Sequence, residues 1–315
     1  MFGKMMNSYY YGKSGKGDYR KEDLPKNRWQ LFWEMLRIRF AGLMRLNLMY
    51  AVVWLPVILM TMFFLMALLT GGGGVDEAGQ AITLPQELQQ EMAIGTLILW
   101  LVALIPCVTI TGPFTAGVSY VTRNWARDEH AFVWSDFKDA VKANWKQALL
   151  VSFITSLMPI ILYVCWMFYG QKAAESPFYV VPQVLATMLG VVWFLAVIYM
   201  YPLMVTYKLK FKDLIRNALL LSIGRLPQSV GLRLLSAVPL AIGGAVLILT
   251  SRVEWVILGV LLYYVLIGFS LSRFVYASYS NAVFDRFINA RIEGAAVNRG
   301  LSQEEDDDMD EEDDE

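Results

Sequence analysis

Catalysis needs nucleophiles, proton-transfer groups or metal ligands at workable spacing, and this chain is poor in all three. His130 is the only histidine in 315 residues, so a Ser-His-Asp or Cys-His arrangement, or a histidine-rich metal site, would have to be built on it. It follows Asp128 and Glu129 in a polar stretch, where a solvated loop histidine is the simpler reading. Cys107 and Cys165 fall inside apolar runs and read as small hydrophobes, not as a disulfide framework. Gly71–Gly74 lacks the Lys-Ser/Thr that completes a phosphate loop and reads as a linker. No catalytic, cofactor-binding or metal-ligating set is expected, nor a nucleic-acid partner, and the chain is read as non-enzymatic.

The remaining candidates are polar or packing positions. Arg233 and Arg273 stand near the ends of apolar runs. There an arginine can lay its stem along lipid and reach the headgroups, or it can line a polar cavity open to the cytoplasm. Pro56, Pro106, Pro159, Pro202 and Pro239 recur within apolar runs, each expected to bend its helix and free a carbonyl. Gly112 and Ala116 form a small-xxx-small pair beside Pro113, and Thr109, Thr111 and Thr115 add hydroxyls, a combination suited to close helix contact. Deep tyrosines, Tyr163, Tyr199, Tyr201, Tyr263 and Tyr264, offer faces on which a sugar could stack.

These residues must be positioned by membrane helices. Apolar residues make up 57% of the chain, more than the roughly 45–50% of ordinary globular proteins, and the excess must face lipid. About 20 apolar residues of helix cross the ~30 Å hydrocarbon layer. Six runs of that order occur, Leu48–Leu69, Ile94–Thr111, Ala148–Gly170, Tyr179–Thr206, Leu234–Ser251 and Trp255–Ser272, and none contains an ionisable Asp, Glu, Lys, Arg or His. Ion-coupled carriers usually place such groups at membrane depth, so this class is disfavoured. The first run starts far from Met1, unlike a secretory signal, and reads as a retained helix. The expected fold is all-α and polytopic, with about six transmembrane helices.

Basic residues orient the spans, because they are retained on the cytoplasmic side. Ten Lys and Arg precede the first run, five lie between Gly112 and Gln147, including Arg123, and five more follow Thr206 before Arg233. The alternate connections carry none, only Lys172, and only Arg252. Both termini are therefore expected in the cytoplasm. Amphipathic basic stretches precede each outward-going span, Trp29–Arg45, Phe137–Trp145 and Phe211–Leu226, and read as cytoplasmic interfacial helices, suited to anionic lipid. Tryptophans such as Trp29, Trp33, Trp134 and Trp145 fall at the expected interfaces. The second span is expected to start as a helix at Thr83-Leu84-Pro85-Gln86, capped by Thr83. Eleven acids between Glu304 and Glu315 bring a balance that would otherwise be +10 to a net −1. Residues 1–28 are read as a polar cytoplasmic segment, 29–290 as the membrane domain and 291–315 as a disordered acidic tail.

Several segments resemble the YesL-like family of bacterial membrane proteins of unknown function. They are Gly42-Leu43-Met44-Arg45-Leu46-Asn47, Leu55-Pro56-Val57-Ile58, Thr111-Gly112-Pro113-Phe114-Thr115-Ala116-Gly117 with Arg123, Trp134-Ser135-Asp136-Phe137, and Tyr201-Pro202-Leu203 leading to Asn217-Ala218-Leu219-Leu220. The resemblance runs from about Trp29 to Asn289; the long first outer loop and the acidic tail depart from the pattern. It marks Arg45 and Asn47 as positions of interest and implies a multi-pass protein of the bacterial cell membrane. Because family members are often associated with carbohydrate-uptake operons, it also implies an accessory or regulatory partner of a sugar transporter. The alternative is a facilitative channel or carrier for an uncharged solute.

Overall fold

The computed structural model describes residues 25–69, 85–250 and 253–302. Among them there is no strand, and six helices are long and apolar enough to cross a membrane, as the apolar runs require. The chain is an all-α polytopic membrane protein. Helices α1 (Arg28–Leu69), α2 (Gln86–Trp125) and α3 (Val133–Ala173) are followed by a single 3-10 turn, Pro177–Tyr179. Then come α4 (Val180–Thr206), α5 (Phe211–Gly224), α6 (Leu226–Thr250), α7 (Val253–Tyr263) and α8 (Phe269–Phe287). A π-helical segment, Tyr264–Gly268, joins α7 to α8 so that together they make one span. The Gly71–Gly74 linker, Thr83, Arg252, the chain before Pro25 and the acidic run from Glu304 lie outside the described residues.

Helix length decides the architecture. At about 1.5 Å per residue, α1, α2 and α3, of 42, 40 and 41 residues, are each ~60 Å long, twice the ~30 Å hydrocarbon layer. The surplus gathers at one end. There Leu31, Met35, Leu43 and Leu46 of α1 pack with Val118, Val121 and Trp125 of α2, Phe137 of α3, and Phe274 and Ala277 of α8, all buried. This end, the base, also holds both described chain ends, since the Ser302 N–H donates to the Pro25 carbonyl at 3.1 Å. A second core surrounds α4, whose residues from Leu195 to Leu203 are buried against α5 and α8. Half of the most apolar stretch of α4 is buried, against 6% for α1, α2 and α6, which makes α4 the central helix.

Of the three amphipathic stretches, only Phe211–Leu226 yields a helix of its own, α5, which buries Leu214 and Ala218. The other two run on without a break into their spans as the first turns of α1 and α3. Nothing in Trp29–Arg45 or Phe137–Trp145 breaks a helix: neither stretch contains proline, and the amphipathic period continues straight into the apolar run. The start of α1 nevertheless keeps two apolar faces. Leu31 and Met35 turn inward, while Trp29, Trp33, Ile38 and Phe40 are exposed on the outside. The C-terminal segment follows α8. Its described part, as far as Ser302, is held to the base: the Asn298 N–H donates to Asp285, and Arg299 pairs with Glu129 at 2.6 Å.

Candidate functional site

The tightest point of the bundle is the crossing of α2 and α3. A Cβ on Gly112 would lie 2.2 Å from Ser152 Oγ and 2.3 Å from the Ala148 carbonyl oxygen, so only glycine allows this approach. Pro113 and Thr115 are buried on the next turn. Thr115 Oγ1 donates back to the Thr111 carbonyl at 2.8 Å and meets Tyr50 Oη of α1 at 2.5 Å, so one hydroxyl ties two helices. Ser152 in turn meets Tyr201 Oη of α4 at 2.8 Å. The threonine and glycine positions thus join α1, α2, α3 and α4 through hydroxyls that use one another as partners.

Asn47 holds a different joint. Its Nδ2 donates to the carbonyls of Tyr264 and Val265 at 2.8 and 2.7 Å, and its Oδ1 accepts from the Ser270 N–H at 2.8 Å. A π turn shifts the backbone register and leaves carbonyls without their usual partners, and a carboxamide can satisfy both a carbonyl and an N–H. Asn47 is fully buried, and both of its donor hydrogens and its carbonyl oxygen are engaged at this break. Arg45, two residues earlier, is exposed on the opposite side of α1.

Arg233 and Arg273 come together beneath α4. Arg233 does not reach for headgroups: its Nε donates to the Phe194 carbonyl at 3.0 Å, its Nη2 donates to the same oxygen, and its guanidinium lies 5.6 Å from the Tyr276 ring centroid. Tyr276 Oη donates to Ser236 at 2.6 Å. The Arg273 guanidinium sits 5.2 Å from the Tyr201 ring and 5.8 Å from the Tyr276 ring. Two arginines therefore share one tyrosine-lined place, where carbonyl dipoles and π faces stand in for a carboxylate.

The base is organised by two acids, Asp285 and Glu129. Asp285, 4% exposed, accepts from Arg28, from Asn289 Nδ2 at 2.6 Å and from the Asn298 N–H at 3.1 Å. Asn289 Oδ1 accepts from Tyr207 Oη at 2.6 Å, so the start of α1, the end of α4, the end of α8 and the C-terminal segment meet at one carboxylate. Burial, and then the Asp285 carboxylate, push the Tyr207 hydroxyl up to about 12. Glu129 gathers Arg299, Arg127 at 3.5 Å and Arg123 at 4.0 Å. Arg123 thus belongs to this base cluster. A signal for Asp285 was present in the sequence, where it is the lone acid between Glu254 and Glu293. His130 is exposed and stacks edge-on with Phe132 at 4.5 Å.

Residues 93–166 match a family model described as "Protein of unknown function, DUF624". No curated protein and no solved structure matches the chain. The matched stretch covers most of α2 and the first 34 residues of α3, the pair that crosses at Gly112, and over this hairpin the chain is similar to that family.

Proposed function

We propose that this chain is a non-enzymatic multi-pass protein of the bacterial cell membrane, with both termini in the cytoplasm, that works by docking a partner protein on its base. The observation that carries the reading is the base itself: helices twice as long as the hydrocarbon layer is thick, joined at and beyond its edge around their own core and presenting exposed Lys138, Lys142, Lys212 and Arg216. A chain that only needed anchoring would not require such a platform. The basic surface supports a cytoplasmic placement and contact with anionic lipid. The resemblance to the YesL-like family supports a component of a carbohydrate uptake system as the partner, in an accessory or regulatory relation.

A facilitative path for an uncharged solute has less support. Tyr199 and Tyr201, two of the tyrosines that could have stacked on a sugar, are buried, with hydroxyls bonded to Ser229 and Ser152 at 2.8 Å each. The test is site-specific photo-crosslinking in cells grown on inducing sugars, with the probe at Lys142 or Arg216 on the base and at Ser176 at the opposite end. Crosslinks to a transport component from the base positions alone are expected. Equal or absent crosslinking at the base positions, or sugar flux through vesicles containing only this chain, would overturn the reading.

A further inference from the structure

We infer that the crevice between α1, α6 and α8 is a binding site for one anionic phospholipid, its phosphate at the basal mouth and an acyl chain running up between the helices. The crevice has a volume of about 680 Å³, within the ~300–1,000 Å³ usual for sites that hold small molecules. Its walls are apolar where a chain would lie, with Leu232, Leu235 and Pro239 of α6 facing Leu271 and Val275 of α8. The hydroxyls of Ser236 and Tyr276 on this wall are already bonded to each other.

The basal end is different in kind. Among the described residues, Arg28 Nη1 and Ser278 Oγ are buried without a hydrogen-bond partner, and both residues line the crevice. The spacing Val275, Tyr279, Ala282, Arg286 keeps one face of α8 and sets Arg286 one turn below the lining residues. Arg286 and Arg225 both lie over the Phe287 ring, at 5.7 and 4.8 Å. Asp285 is paired with Arg28, whereas among the described residues neither Arg225 nor Arg286, just below this mouth, is in an ion pair. Trp29 and Trp33, 68% and 51% exposed, border the same end, and indoles at such a position belong among lipid headgroups. Apolar walls in the membrane, unpaired donors at one end and an excess of arginine match a phospholipid of negative charge.

The test is native mass spectrometry of the full chain in detergent, offered phosphatidylglycerol and phosphatidylcholine in equal amounts. One retained phosphatidylglycerol per chain, in preference to phosphatidylcholine, is expected. Replacing both Arg225→Ala and Arg286→Ala should reduce the preference by about fivefold for each arginine. Leu235→Trp, which fills the crevice from its lipid side, should lower retention of both lipids while circular dichroism stays unchanged. Equal retention of the two lipids by the native chain would overturn the assignment. So would retention unaffected by Leu235→Trp, or thermal protection by glycerol phosphate alone equal to that by phosphatidylglycerol, the last pointing to a soluble anion site.

Discussion

Gly112 and Tyr207 show what single atoms decide in this molecule. At Gly112 a methyl group would meet a backbone carbonyl, which cannot rotate away as a side chain can, and would also disturb the Ser152–Tyr201 bond. Gly112→Ala should cost about 3 kcal/mol, at the upper end for overpacked sites, read as a lowered midpoint of thermal unfolding in detergent. Gly244→Ala, with no atom within 4 Å of the added carbon, should leave that midpoint unchanged or slightly raised. Tyr207 makes a pH prediction. Its hydroxyl is raised to about 12, against an ordinary value of 10, so between those values the folded chain keeps a proton that the unfolded chain releases. That stability is fully present below pH 10 and is lost as pH rises towards 12. Denaturant titrations of the native chain should show the decline, and Tyr207→Phe should flatten it.

At the scale of elements, the joint between α7 and α8 depends on a residue more than 200 positions away. The π segment interrupts the α-helical hydrogen-bond ladder of the last span, and Asn47 bonds two of its carbonyls and the N–H of Ser270. Ser270 Oγ adds a bond to the Leu43 carbonyl at 2.9 Å, so α1 and α8 are fastened over one turn on each side. Asn47→Ala removes bonds to two carbonyls and one from a buried N–H, and a loss of about 3 kcal/mol is expected. Faster hydrogen exchange at Val265–Ser270 should accompany the loss. Asn47→Asp should be at least as damaging, because a carboxylate cannot donate to the carbonyls of Tyr264 and Val265.

The whole molecule is tight at one end and open at the other. In the base and around α4, helices meet through Trp125, Tyr199, Phe274 and Phe284, all 2% exposed or less. Away from it, side chains such as Phe63, Ile248 and Leu249 stand 69–84% exposed, which in a bilayer means contact with acyl chains. The side on which the base lies can be read by labelling. After Cys107 and Cys165 are replaced by serine, a cysteine at Ser176 should react with an impermeant maleimide in intact cells. A cysteine at Ala295 should react only after permeabilisation. The reverse pattern would turn the molecule over and remove the base from the cytoplasm.

Much of this was legible in the residues themselves. Six spans, their approximate limits and the all-α class follow from runs of apolar side chains, because the cost of placing polar backbone or charge in hydrocarbon depends on local composition alone. The close approach at Gly112 was also readable, since a small-xxx-small pair beside hydroxyl residues has few other uses. The sequence did not show where long-range partners fall. Asn47 could be marked as unusual, but its role depends on a π turn 217 residues further on. Asp285 looked like an ordinary charge near the end of a helix until Arg28, Asn289 and Asn298 closed around it. Arg233 read first as a lipid-facing side chain and only second as an inward one, because both orientations share one sequence pattern, and only the packing of α4 against α6 turned it to the Phe194 carbonyl. Composition determined which solvent each segment can tolerate; tertiary packing decided which polar groups found one another, because hydrogen bonds of this kind form between segments brought together only when the helices assemble.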